Sequence, residues 1–119
     1  MSAPFYDNIE TVTIQNKNYR SVVYTDENIQ IVLMSLPPKS EIGTEIHQGT
    51  TQFFRIEKRM GLCIIEDKGF ILNDGISFAV PPGQVHNVIN TSSSKHLKLY
   101  TIYSPPHHPK GLVQKQKVD

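Results

Sequence analysis

Two short clusters of side chains in this chain could carry metal chemistry. Glu45 and His47 stand two residues apart, Gln52 follows after a polar turn, and His86 lies farther on. In an extended strand, residues i and i+2 face the same way, so Glu45 and His47 project together while Ile46 projects oppositely. The turn Gln48-Gly49-Thr50 is placed to fold the Gln52 strand back beside the first. If Gln52 points inward, Phe54 and Ile56 form an apolar floor beneath it, and Arg55 and Glu57 face outward. Two imidazoles with one carboxylate and one amide oxygen make a mixed nitrogen and oxygen donor set. Such a set suits Fe, Mn, Ni or Zn as a divalent ion and leaves positions open for water or substrate. Glu45 has a second option, because a carboxylate beside a metal-bound substrate can act as general base. The bland alternative is a solvated Glu-x-His pair on a surface strand, unremarkable in a chain with 5 His.

A framework of strands must position these groups. Runs rich in Val, Ile, Phe, Tyr and Thr occupy residues 11–14, 21–25, 30–36, 51–57, 61–66, 70–72, 76–80, 85–89 and 97–103. Residues of these types pack well on a pleated surface. The breaks between them are turn chemistry: Asp67-Lys68-Gly69, Asn73-Asp74-Gly75 and Pro81-Pro82-Gly83. No window keeps a helical apolar period, and the best candidate, 26–31, is too short to matter. Many short strands at near-regular spacing predict a sandwich, barrel or jelly roll. The Pro-rich segment from Ser104 onward is expected to be irregular, wrapping the barrel or reaching a neighbouring subunit.

Length and charge narrow the functional classes. A chain of 119 residues encloses one core and leaves no room for separate cofactor and substrate domains. With 12 Lys and Arg against 11 Asp and Glu, bulk charge favours no polyanionic partner. The cluster Lys110, Lys115 and Lys117 reads as a solvated tail, so no nucleic-acid partner is expected. Cys63 is the sole cysteine, within the apolar run Leu62-Cys63-Ile64-Ile65, and reads as a packed small hydrophobe. The segment Met1-Ser2-Ala3-Pro4-Phe5 lacks the features of a secretory signal, and no apolar run is long enough to span a membrane. The expectation is a cytoplasmic protein without a membrane partner.

The spacing Gly75-x5-Pro81-x-Gly83-x2-His86-x3-Asn90 resembles the second motif of the cupin superfamily at every fixed position. Glu45-x-His47-x4-Gln52 stands in the place of that superfamily's first motif, usually His-x-His followed by Glu. Segments such as Met34-Ser35-Leu36-Pro37-Pro38 and Gln52-Phe53-Phe54-Arg55-Ile56-Glu57 are similar to small single-domain cupins often labelled mannose-6-phosphate isomerase-like. The resemblance implies an all-β, double-stranded β-helix (jelly-roll barrel) in one domain, 1–119. Its barrel would span about 28–104, preceded by strands in 8–25 and followed by an irregular tail, 105–119. It also implies one divalent metal ion (Fe, Mn, Ni or Zn) held by Glu45, His47, Gln52 and His86.

Each fixed position of the second motif has a physical reading. Gly75 permits a tight turn, Pro81-x-Gly83 turns the chain back, His86 is aimed inward from the returning strand, and Asn90 satisfies turn backbone groups. The departures are informative too. Lys39 and Arg59 replace usual glycines, so Arg59 is expected to carry a left-handed φ. Gln52, an amide in place of a carboxylate, is the weakest of the expected donors. His96 reads as exposed, and His107 and His108 read as surface groups, since neighbours on an extended segment point apart. Tyr100 and Tyr103 are candidates to line the pocket. The leading functional reading is a metal-dependent enzyme on a small polar substrate, of isomerase or dioxygenase/lyase type. The competing reading is a non-catalytic module that binds or senses a small ligand. A homodimer is expected, because an open-ended jelly roll gains by pairing an edge.

Overall fold

The order of elements, in a computed structural model that describes residues 3–118, is one helix and then nine strands. Met1, Ser2 and Asp119, the ends of the expected domain, lie outside the described residues. The helix is α1 (Ile9–Gln15). The strands are β1 (Arg20–Thr25), β2 (Gln30–Leu36), β3 (Thr51–Lys58), β4 (Gly61–Ile65) and β5 (Lys68–Leu72). They continue as β6 (Ser77–Val80), β7 (His86–Asn90), β8 (Leu97–Ser104) and β9 (Val113–Gln114). One sheet has the order β6-β3-β8-β2-β1-β9 and the other β5-β4-β7, with antiparallel pairing throughout.

Period-two alternation sets which residues meet between the sheets. On β8, Leu97, Leu99, Thr101 and Tyr103 are buried while Lys98, Tyr100 and Ile102 are only partly covered. Val32, Met34 and Leu36 of β2, Phe54 and Ile56 of β3, and Cys63, Leu72 and Val88 from the smaller sheet join them in the core, with Tyr19, Val22 and Val80. A buried side chain of this size contributes roughly 1.5–3 kcal/mol. A one-residue slip of β8 would turn Leu97, Leu99 and Tyr103 outward together, so burial fixes the register. Tyr100, by the same alternation, faces away from the interior and packs on Phe53, with ring centroids 6.4 Å apart.

The segment around 8–25 differs from the expected pair of strands. Its first part is α1, although Thr11, Val12, Thr13 and Ile14 favour strands by type. Asn8 caps the helix, its side chain accepting from the Thr11 N–H at 2.9 Å. Thr13 is fully buried, and α1 packs on β8, β3 and β2. Lys98, on the outer side of β8, donates to the Asn16 carbonyl at the end of that helix. The helix thus covers the outer side of the large sheet, and β2 is buried on both faces in consequence. No helix forms at 26–31; Asp26 Oδ1 instead accepts from the N–H groups of Asn28 and Ile29 in the β1–β2 turn.

Three further expectations are corrected. Glu57, expected to face outward, is 5% exposed and pairs with Arg55 at 3.4 Å. The pairing of β3 with β8 shifts register between Ile56 and Lys58, which breaks the alternation at that residue. The β4–β5 turn uses Glu66 at φ 55 rather than Gly69, which lies within β5. The tail is not wholly irregular, because β9 pairs with β1 through Arg20–Gln114 and Ser21–Val113.

The glycine substitutions leave a backbone signature. Arg59 adopts φ 85, as expected, and Lys39, the other position where a glycine is usual, adopts φ 62. The fold retains a left-handed turn at both places and tolerates a side chain there, at a steric cost of about 1 kcal/mol each.

Candidate metal centre

Chain reversals bring the first cluster to the second. The stretch that carries Glu45 and His47 is not a continuous strand; it is held by bridges Glu41–Ile89 and Glu45–His86 against β7. Glu45 N–H donates to the His86 carbonyl at 2.8 Å, and His86 N–H returns the bond at 2.9 Å. His47 is fixed from the other side, its carbonyl accepting from Gly83 N–H at 2.9 Å. Gly83 has φ 83, a conformation that favours glycine, so the Pro81-x-Gly83 turn both starts β7 and clamps His47. Gln52 does not fold back beside this stretch. The turn at Gln48-Gly49, with Gly49 at φ 86, carries the chain across to the other sheet, where Gln52 pairs with Val80 and Tyr103.

The four predicted side chains nevertheless converge. Donor atoms of Glu45, His47 and His86 all lie within 4.8 Å of one another. Gln52 Oε1 is 3.2 Å from His86 Nε2, while the Gln52 amide nitrogen donates to Thr101 Oγ1 at 2.9 Å. Phe54 and Ile56 are buried below Gln52, as the alternation requires. His86 Nδ1 lies 3.0 Å from the Gln84 carbonyl. A carbonyl only accepts, so Nδ1 carries the hydrogen, and in the metal-binding form of the ring the Nε2 lone pair is aimed inward. It meets the Gln52 amide oxygen at 3.2 Å, so both atoms could donate to one shared cation.

His47 makes the same point independently. Its Nε2 is buried and has no hydrogen-bond partner, although Glu45 Oε1 is 3.4 Å away. An unpartnered buried nitrogen costs about 1–3 kcal/mol unless something binds it. Burial pushes the His47 imidazole below its usual range, the Glu45 carboxylate opposes this, and His107 and His86 add to it. The neutral ring is the ligand form. One carboxylate, two inward imidazole lone pairs and an anchored amide oxygen therefore fit a divalent transition ion by donor type.

The tail adds neighbours to the site: His107 is exposed, as expected, whereas His108 is half-buried. Tyr103, buried at 2%, lies with its ring centroid 5.9 Å from that of His47. His107 folds over the same place, 4.4 Å from the His47 ring and stacked on Tyr103 at 5.4 Å. His108 is half-buried, with Nε2 3.2 Å from the Tyr103 hydroxyl. Burial, reinforced by the Arg20 charge, holds the His108 imidazole down at about 4. Gln30 pins the segment, its Oε1 accepting from the N–H groups of His107 and His108 and its amide donating to the His108 carbonyl. A fully buried Gln at the start of β2 was the available sequence signal, but it gains meaning only with its distant partners. His96 is exposed as expected, with Nδ1 3.1 Å from Ser35 Oγ.

Comparison with known proteins agrees with this architecture. A family profile described as a cupin domain matches residues 32–103. An uncharacterized protein of Acanthamoeba polyphaga mimivirus is 41% identical over 89% of this chain and 68% of its own length. The uncharacterized protein YrkC of Bacillus subtilis is 42% identical over 98% of this chain and 65% of its own. The chain thus spans about two thirds of the length of these curated relatives. A crystal structure from Bacillus halodurans superposes with a TM-score of 0.92 at 37% identity, covering 95% of this chain and 89% of that one. Among the described residues, no helix is long and apolar enough to cross a membrane.

Proposed function

The chain belongs to the cupin family, and from that premise we propose that it holds one divalent transition-metal ion and acts as a metal-dependent enzyme on a small polar molecule. The ligands are Glu45, His47, Gln52 and His86. The observation that carries this reading is the convergence of Glu45, His47 and His86 donor atoms within 4.8 Å, with His47 Nε2 buried and facing only the Glu45 carboxylate, 3.4 Å away. The ion, when bound, supplies Lewis acidity to an oxygen of the substrate.

The chain's own residues do the rest. Thr101 fixes the Gln52 amide so that its oxygen points inward. The Gln84 carbonyl sets the tautomer of His86. The side chain of Glu45 is 30% exposed, against 9% for His47, so its carboxylate is the acidic group of the cluster that reaches the mouth. There it is placed to take a proton from a bound molecule. Phe54, Ile56 and Tyr103 exclude water from below. Isomerase and dioxygenase or lyase chemistry both fall within the proposal, and the isomerase-like subfamily label adds no residue that selects between them. We place the protein in the cytoplasm as a homodimer, on its balanced charge and the open sheet edges β5 and β6.

The test is elemental analysis of tag-free protein, wild type beside His86→Ala. Near-stoichiometric Fe, Mn, Ni or Zn that is lost in the folded variant is the expected result. Metal retained by His86→Ala refutes the ligand assignment. A wild type that takes up none of these ions points instead to a small-ligand binding module without metal.

A further inference from the structure

The C-terminal strap divides two neighbouring imidazoles between two tasks. His108 is committed to the scaffold, with Nε2 on the Tyr103 hydroxyl and its backbone held on both sides by Gln30. His107 is held only through its backbone N–H, which donates to Gln30 Oε1 at 3.1 Å. Neither of its ring nitrogens forms a hydrogen bond among the described residues. The ring is nonetheless placed firmly, stacked on Tyr103 at an interplanar angle of 22°. Its centroid is 4.4 Å from that of His47, closer than the 5.3 Å between His47 and His86.

Among the four ligands of the proposed function, Gln52 is the poorest. A neutral amide oxygen donates weakly to a transition ion, and this one is restrained by its bond to Thr101. The ring that stands beside His47 is an imidazole whose nitrogens form no hydrogen bond; they lie outside the 4.8 Å cluster of Glu45, His47 and His86 donor atoms, so the ring must turn to bring one of them in. We propose that His107 is a further ligand of the same ion, supplying a third imidazole from the C-terminal strap. This rests on the reading of Glu45, His47, Gln52 and His86 as a metal site. It explains why a tail outside the barrel is tied down by a fully buried glutamine. The two rings do not point apart as neighbours on an extended segment would; their centroids are 4.7 Å apart around Tyr103, and only His108 bonds to its hydroxyl.

The experiment uses Co(II) alone as a spectroscopic probe and Zn(II) in competition with a chromophoric chelator. Wild type, His107→Ala, His108→Ala and His86→Ala are compared in the full chain, with circular dichroism to confirm folding. His107 is exposed, so its removal leaves the core untouched. The expected result is that His107→Ala binds Zn(II) about 10-fold or more weakly, the scale on which a site responds to losing one of its partners. Its Co(II) visible spectrum should change, and added imidazole should restore it. A His107→Ala protein with the wild-type Co(II) spectrum and Zn(II) affinity overturns the proposal. If the wild type itself binds neither ion, the underlying metal site fails; if only His86→Ala loses metal, that site stands and the role of His107 falls.

Discussion

Replacing Asn90 by Ala should be among the most damaging single changes available in this chain while leaving its chemistry alone. Asn90 is fully buried, and its amide nitrogen donates to the carbonyls of Leu36, Pro37 and Lys95 at 3.0, 3.0 and 2.8 Å. Its Oδ1 accepts from the Ser92 N–H at 2.9 Å. One side chain therefore ties the ends of β2, β7 and the loop before β8. Two N–H hydrogens shared over three carbonyls, plus one accepted bond, amount to three full hydrogen bonds. At about 1–1.5 kcal/mol each, their loss destabilises by about 3–5 kcal/mol. With a urea slope of about 2 kcal/mol/M, the midpoint falls by about 2 M. Asn90→Asp should be at least as harmful, since it presents an oxygen to three carbonyl oxygens. Urea unfolding followed by circular dichroism measures both. Asn90 lies four residues along β7 from His86, about 13 Å away, so metal per folded chain should equal that of wild type. A variant within about 1 kcal/mol of wild type, or one that folds but loses metal selectively, refutes the assignment of Asn90 as a purely structural clasp.

Other features of the fold can be tested too. Arg59→Gly should raise stability by about 0.5–1 kcal/mol, because φ 85 strains a side chain there; a loss of stability in thermal unfolding would show that Arg59 side-chain contacts outweigh the strain. Cys63 is 1% exposed and burial pushes its thiol up to about 11, so alkylation of the native protein at pH 8 should be slow and should accelerate only on unfolding. Rapid modification of folded protein would contradict the core placement of β4. Light scattering at micromolar concentration should return the mass of a dimer, and a monomer would remove the edge-pairing argument.

Much of the barrel was legible because its signals are local. The strands from β2 to β8 lie within two residues of the apolar runs that predicted them, and the turns at Gly75 and Gly83 have the positive φ their glycines allow. The four site residues could be named because their spacing follows the second motif and its partner. The misses share one cause, a partner distant in sequence. α1 overrides the strand preference of Thr11 to Ile14 because a capped turn lets Thr13 pack on the sheet. Glu57 is buried by a bulge in its pairing with β8. His107 reaches the site because Gln30, 77 positions away, holds its backbone. Nothing in the local pattern around Pro105 and Pro106 announces that contact.

The paired backbone bonds between Glu45 and His86 have a topological consequence. They close a ring of chain that contains β3, β4, β5 and β6, whose two edge strands, β5 and β6, are each held to the rest of the fold through a single neighbour. Closing a ring of some forty residues forfeits chain entropy on the order of 3–4 kcal/mol, a cost these two amide bonds share with the Ile42–Val88 and Gly83–His47 bonds beside them. A cross-link joining the side chains of 45 and 86 would fasten the same knot a second time. Its removal should hasten the opening of the edge strands β5 and β6, seen as a loss of amide protection there before β3 and β4, which keep their pairing with β8 and β7.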